Sequence, residues 1–513
     1  MLQFLFYIGF VLQASAFIAP PDEYACPFPT SKPELDSLRP LAKIYQDERE
    51  DGWWPFREVA GRESFVDKTE FIKYFLDTRK QLVLVAPPNF GKSTNLHMLK
   101  HFFQIPVDAM GANLTFNMAE KGTFFGKLAI CKKHPSICSD YLSSAPVVSL
   151  DLESVVGSTP TTFLETFRAE VERVFRAHGY LAKSERLSAF NKEEFASYES
   201  HLGGPNRTIA FYKDGIDVLT RLLFVHHRRK CILLVDNFDR LAVAAMLGKD
   251  EEYQLPTEVE EIYFSLGETA KHSAFVSRTL LTGVFRMGSH RQGHDDNLLY
   301  KSIFADPQIS QHFGLTLAEV EALIGRLGRS KDQAAVDLDR IKYHFGGYRI
   351  CDTQIKIFNT GSVVAYLEGE GIKIPSPPLF RIYKPIFRYE MMGEHLHEAV
   401  ENGTDLTPQG VISITDLFQL RQAGHMTVAN FKGTHNKGLL VQLLQEAGYF
   451  TVTSRKPNGS VHLEIPCVAV KEAYEDLVYH NEFFVTEEEW KKELEANATK
   501  NNPRDHKGKK SGS

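Results

Sequence analysis

The run from Gln81 to Phe103, QLVLVAPPNFGKSTNLHMLKHFF, constrains the chain more than any other stretch. Leu82, Val83, Leu84 and Val85 form a short continuous apolar segment, the pattern of a strand buried on both faces. A turn follows (Pro87, Pro88, Asn89, Phe90), then Gly91-Lys92-Ser93, then a helical pattern with Leu96, Leu99 and Phe103 on one face. Strand, turn, Gly-Lys-Ser and helix in that order make a phosphate-binding loop. Backbone N–H groups and the helix N-terminus meet phosphate oxygens, the lysine neutralises β/γ charge, and the serine hydroxyl ligates magnesium. Asn89, Phe90, Gly91, Lys92, Ser93 and Thr94 are therefore the candidate nucleotide-binding residues. The consensus opens with a glycine five residues before Gly91, and that place is Ala86 here.

A second segment completes the site. Cys231 to Asp236 (CILLVD) is an apolar strand that ends in an acid well downstream of the loop. In a phosphate-loop protein such an Asp accepts hydrogen bonds from magnesium-bound water beside the loop serine. Ser93 and Asp236 are thus the expected metal residues, with ATP and Mg2+ the expected ligands. Ser277 to Val284 (SRTLLTGV) is another strand, and Thr282 near its end is the expected sensor of the terminal phosphate. Val147 to Leu152 (VVSLDL) is a further short strand, and helical spacing recurs over 159–180 and 215–226. Strands alternating with helices imply a parallel sheet wound on both faces.

At 513 residues the chain exceeds one ordinary core. Its net charge of −6 gives no reason to expect a nucleic-acid surface, and nothing names a protein partner. The first residues, MLQFLFYIGFVLQASA, join an apolar core (Leu2 to Leu12) to Ala14-Ser15-Ala16, the pattern of a secretory signal peptide, although the basic start is missing. No later stretch has the length of a membrane span. Export is therefore expected, with cleavage after Ala16. Five sequons, at Asn113, Asn206, Asn402, Asn458 and Asn497, offer glycosylation sites. Six cysteines allow 15 full pairings. Cys131 and Cys138 are close enough to staple a surface loop, and Cys231 reads as a buried free thiol.

Between these landmarks, 61–80 reads as a loop entering a helix, with Thr69 as its cap and Phe71, Ile72 and Phe75 facing inward. His226-His227 beside Arg228-Arg229-Lys230 reads as a solvated helix end. His290 and His294, with Asp295 and Asp296, have metal-ligand spacing, but Gly293 argues for a solvated loop. The pattern turns mainly helical from Phe304. Residues 438–464 read as helix, strand, Pro-Asn-Gly-Ser turn and strand, a winged-helix-like unit expected to be structural.

The sequence resembles the AAA-ATPase-like family, phosphate-loop proteins common in bacteria and often fused there to a C-terminal nuclease domain. The resemblance rests on SFVDKTEFI (64–72), APPNFGKSTNLHMLKHFF (86–103), PVVSLDL (146–152), ILLVDNFD (232–239) and LLTGVFR (280–286). It continues through FGLTLAEVEALI (313–324), HFGGYRICDTQIKIFNTGSVVAYL (344–367) and HLEIPCVAVKEAYEDL (462–477). It implies an α/β phosphate-loop NTPase fold over 61–303, followed by a mainly helical region with the winged-helix-like unit over 304–480. A signal peptide (1–16) and an arm (17–60) precede these, and a polar tail (481–513) follows. About thirty-five residues follow Leu477, too few for the bacterial nuclease core, which needs several times that number.

Two departures from the family matter. Its loop looks like Arg-Pro-Arg-Arg-Phe-Gly-Lys-Ser, and those arginines are Ala86, Pro88 and Asn89 here. Its metal strand continues Asp-Glu-Tyr-Asp, and here it reads Asp236-Asn237-Phe238-Asp239. The family Glu activates water; Asn237 can hold a water but cannot take its proton. General-base help is worth about two to four powers of ten, so weak hydrolysis with retained binding is expected. Asp239 can substitute only if it reaches the water. The alternative is an extracellular pseudo-ATPase, a binding protein that keeps the loop for its fold. A DNA-handling ATPase is disfavoured by the signal sequence and the missing nuclease.

Overall fold

The computed structural model describes residues 56–78, 81–155, 160–199, 209–242, 255–288, 298–350, 353, 355–369, 399–408, 410–423 and 434–472. The signal sequence, the His290–Asp296 loop, the sequons at Asn206 and Asn497 and the polar tail lie outside these residues.

Five parallel strands organise the chain: β1 (Gln81–Val85), β2 (Val147–Asp151), β3 (Cys231–Asp236), β4 (Val276–Gly283) and β5 (Leu298–Ser302). Their order is β2-β3-β4-β1-β5, so β4 lies between the loop strand and the strand that ends in Asp236. The cores of β1 and β3 read as unbroken apolar runs because helices cover both faces of the sheet. All six positions of β3 are buried.

Successive side chains alternate between the two faces, and the core divides accordingly. Helices α1 (Phe56–Ala60), α2 (Phe71–Asp77) and α3 (Lys92–Phe103) cover one face. There Leu82, Leu84, Ile232, Leu234 and Leu280 share a cluster with Phe71, Leu96 and Leu99. On the other face lie α4 (Pro160–Arg176), α5 (Gly215–His227) and α6 (Leu255–His272). Their Phe163, Phe167, Leu219 and Ile262 cluster with Val83, Leu233, Val235 and Leu281. The expected wound α/β fold is present, with one strand beyond expectation. Strand β5 is half-buried at every position, so it carries no strong apolar signature.

Two small antiparallel sheets follow. Strands β6 (Leu315–Thr316), β7 (Tyr348–Arg349) and β8 (Lys356–Phe358) are ordered β6-β8-β7. Helix α7 (Leu317–Arg326) leaves β6 through a capping box between Thr316 and Glu319. Helix α8 (Thr360–Leu367) leaves β8 with Asn359 as its cap. A second sheet is made of β9 (Thr404–Leu406), β10 (Thr451–Arg455) and β11 (Val461–Glu464) in the order β10-β11-β9, with helix α9 (Thr434–Glu446) between β9 and β10 in the chain. Leu406, Leu439, Leu443 and Leu463 join the cluster that contains Val83, and Tyr348 and Ile357 join the one that contains Leu82. The apolar cores therefore run across residue 303 without a break.

Three local expectations are corrected. Thr69 does not cap α2, whose N-cap is Glu70 without a side-chain bond. Its hydroxyl instead donates to Asp67 Oδ1 and accepts the Ile130 N–H. The end of α5 is exposed at Arg228, Arg229 and Lys230, as expected, but its histidines are enclosed, His226 buried and His227 half-buried. His226 has Ser184 Oγ at 2.7 Å and the Gly111 carbonyl at 3.1 Å, while His227 reaches the Tyr180 hydroxyl at 2.9 Å. Phe56, inside the expected arm, is a core residue that packs with Phe65, Phe124 and Phe125. Cys131 and Cys138 form a disulfide and Cys231 is a buried free thiol, both as expected. Among the described residues no helix is long and apolar enough to cross a membrane.

Candidate functional site

The site lies where β1, β3 and β4 end, because parallel strands bring all their C-terminal ends to one edge. Gly91, the N-cap of α3, has φ +88°, a left-handed conformation that a residue without a Cβ adopts freely. Asn89, at φ +65°, is of a type that tolerates this region. Ala86 stands at the consensus glycine place, buried, with its N–H continuing the sheet onto the Gly283 carbonyl at 3.1 Å. Phe90 is fully buried and packs edge-on against Phe304 and Tyr348, with centroids at 5.5 and 5.1 Å. Its side chain is core, so only its backbone is available to a phosphate. Ser93 and Thr94 are half-buried on the first turn of α3.

Lys92 is buried, and its ammonium donates to the Ala86 and Pro87 carbonyls at 2.7 and 2.9 Å. Burial lowers its pKa to about 8, with Asp236 and Asp239 pulling the other way. Asp236 is 1% exposed, and burial pushes it up to about 6 against the contacts from Ser93 and Thr282. Its Oδ1 accepts the Thr282 hydroxyl and, at 3.0 Å, the Asn237 N–H. Among the described residues its Oδ2 has no hydrogen-bonding partner, although the Ser93 hydroxyl lies beside the carboxylate. Burying an unpaired carboxylate oxygen is costly. A carboxylate and a hydroxyl together are the hard oxygen set that suits a divalent cation such as magnesium.

The three candidate catalytic residues are placed differently. Thr282 is fully buried on β4 and gives its hydroxyl to Asp236, so it orients that acid. Asp239 is 4% exposed, accepts the Val284 N–H at 3.1 Å on Oδ1, and has its pKa raised by burial. Asn237 has φ +55°, and its amide donates to Asp151 Oδ1 at 2.9 Å. Asp151 ends β2 in direct register with Asp236.

Residues 55–291 match the model of the AAA-ATPase-like family, described as Predicted AAA-ATPase. This segment is an AAA-ATPase-like domain. The match spans the loop, Asp151, Asp236 and Thr282 and implies nucleotide binding. No curated protein matches the chain.

Elements beyond the matched segment brace the AAA-ATPase-like loop. Asn359, the cap of α8, donates from Nδ2 to the Pro88 carbonyl at 3.0 Å. The Gly361 N–H donates to the Asn89 carbonyl at 3.0 Å, and the Gly314 N–H donates to that of Phe90 at 3.2 Å. A Cβ on Gly361 would fall 2.7 Å from the Asn89 Cβ, so this approach requires glycine. Asn95 on α3 donates to the His312 carbonyl at 2.9 Å. Asp151 and these bracing residues were not candidates in the sequence. The segments that carry them resemble the family, but a long-range hydrogen bond has no local pattern.

Proposed function

We propose that the chain binds a purine nucleoside triphosphate, ATP, together with Mg2+, and hydrolyses it slowly. The observation that carries this reading is the buried Lys92, within electrostatic reach of an Asp236 whose Oδ2 has no hydrogen-bonding partner among the described residues. Lys92 would neutralise the β/γ phosphates, and the N–H groups opening α3 would meet their oxygens. Ser93 and Asp236 would hold the cation, which when bound neutralises charge that develops on the phosphate oxygens. Thr282 and Lys92 would keep Asp236 ionised for that task. The helix and hairpin formed by α9, β10 and β11, of winged-helix type, would serve as structure and not as a nucleic-acid reader.

Asn237 favours a second reading, a pseudo-ATPase that binds without turnover, because the family's water-activating Glu is absent. Equilibrium dialysis of ATP and AMP with and without Mg2+ tests the binding, and a single-turnover assay separates slow hydrolysis from none. Binding that needs the triphosphate and strengthens with metal supports the proposal; equal binding of AMP contradicts it. We also place the protein in the secretory pathway, from the Leu2–Ala16 pattern and the exposed sequons at Asn113, Asn402 and Asn458. N-terminal sequencing of material from a eukaryotic medium should begin at Phe17; an uncleaved, sugar-free product contradicts export.

A further inference from the structure

Where the resembled family has a Glu, Asn237 turns its amide onto a carboxylate of the neighbouring strand. Asp151 Oδ1 accepts the Asn237 amide at 2.9 Å and the Glu153 N–H at 3.0 Å, so it is fixed from two sides. Its backbone N–H is held by Glu170 Oε1 at 2.7 Å, and Arg173 braces that buried glutamate at 2.7 and 2.8 Å. Asp151 and Asp236 pair in register at the edge of the sheet where the phosphate loop opens. A Glu at 237 would carry its carboxylate one methylene beyond the Asn amide, toward the oxygen that Asp151 already supplies.

We propose that Asp151 is the group that takes the proton from the attacking water, with Asn237 as its positioning residue. The inference rests on the nucleotide reading above. The water oxygen forms a bond to the γ-phosphorus while the bond from that phosphorus to the β–γ bridging oxygen breaks. The electron pair of the broken bond leaves on the nucleoside diphosphate. The water proton passes to the Asp151 carboxylate, and inorganic phosphate is the second product. The other acids nearby are placed less well. Asp239 is buried where Asp151 is half-buried, and Glu153 is half-exposed with Arg240 3.5 Å from its carboxylate.

The test uses the full chain, Mg-ATP and three readouts: single-turnover rate, ATP affinity, and the identity of the nucleotide retained after gel filtration. Asp151→Asn should slow turnover by about 10²-fold or more. It should leave affinity near wild type in a protein that still folds, and retain triphosphate where wild type retains diphosphate. Asn237→Ala keeps the acid but removes one of the two bonds that orient its Oδ1, and should slow turnover about tenfold with affinity unchanged. If Asp151→Asn does not fold, Asn237→Ala carries the test alone, and an unchanged rate overturns the inference. Wild-type turnover in Asp151→Asn, with the loss appearing instead in Glu153→Gln or Asp239→Asn, also overturns it. So does a wild type that binds ATP and never turns it over. A wild type that binds no ATP is a different failure, seen in the affinity readout, and removes the nucleotide reading itself.

Discussion

Replacing Asn237 by Glu restores the family residue in sequence, yet the structure opposes it. Asn237 sits at φ +55°, where a Glu loses the local tolerance of Asn at a cost of about 1 kcal/mol. The substitution also removes the amide that Asp151 accepts and sets a second carboxylate against the first. A hydrogen bond to a charged acceptor is worth about 1.5–3 kcal/mol, so the variant should lose about 3 kcal/mol of stability. Asp151→Asn alone keeps an amide pair and should lose about 1 kcal/mol. The double variant Asn237→Glu/Asp151→Asn rebuilds one acid–amide bond with the places exchanged, and should retain only the backbone cost of about 1 kcal/mol. Denaturant unfolding of the four proteins gives a coupling energy, expected at about 3 kcal/mol in favour of the double variant. Additive losses, or an Asn237→Glu protein as stable as wild type, would refute the argument that the two side chains form one pair.

Other outcomes follow from the same geometry. Lys92, held near 8 by burial, binds phosphate as an ammonium. ATP affinity should therefore fall as pH rises through 8, with about half a proton taken up on binding at pH 8, measured by calorimetry in buffers of different ionisation enthalpy. Gly361→Ala should push Asn89 out of line and weaken ATP binding about tenfold while the fold persists; unchanged affinity would mean that α8 does not set the loop. Burial lowers His178 and His312 to about 4 from an ordinary 6.5. Their neutral forms fit the fold, so stability is complete above 6.5 and is lost as pH falls toward 4. Each should cost about 2 kcal/mol at pH 5; a midpoint flat between pH 7 and 5 contradicts this.

The parallel sheet was legible because β1 and β3 carry continuous apolar runs and because Gly-Lys-Ser and a strand-ending Asp carry their own chemistry. Strands β1 to β4 and α3 follow from those local patterns. Strand β5 was not legible, since an edge strand half-buried throughout has no periodic signature. His226 and His227 were misread because beside three cations they resemble a solvated end, whereas Tyr180 and Ser184, far away in sequence, enclose them. Thr69 failed as a cap for the same reason, its hydroxyl being taken by Asp67 and Ile130. Asp151 looked like an ordinary end of a strand. Only the register with Asp236 and the bond from Asn237 distinguish it.

The central claim is that Lys92 and Asp236 form one nucleotide and metal site, and a titration of ATP into wild type, Lys92→Ala and Asp236→Asn, each with and without Mg2+, tests it most directly. Loss of Lys92 should weaken binding tenfold or more in both conditions, since a charge-assisted contact to phosphate is worth about 1.5–3 kcal/mol. Asp236→Asn should remove only the gain that magnesium confers. Three proteins that bind ATP equally, with or without the metal, would contradict the account.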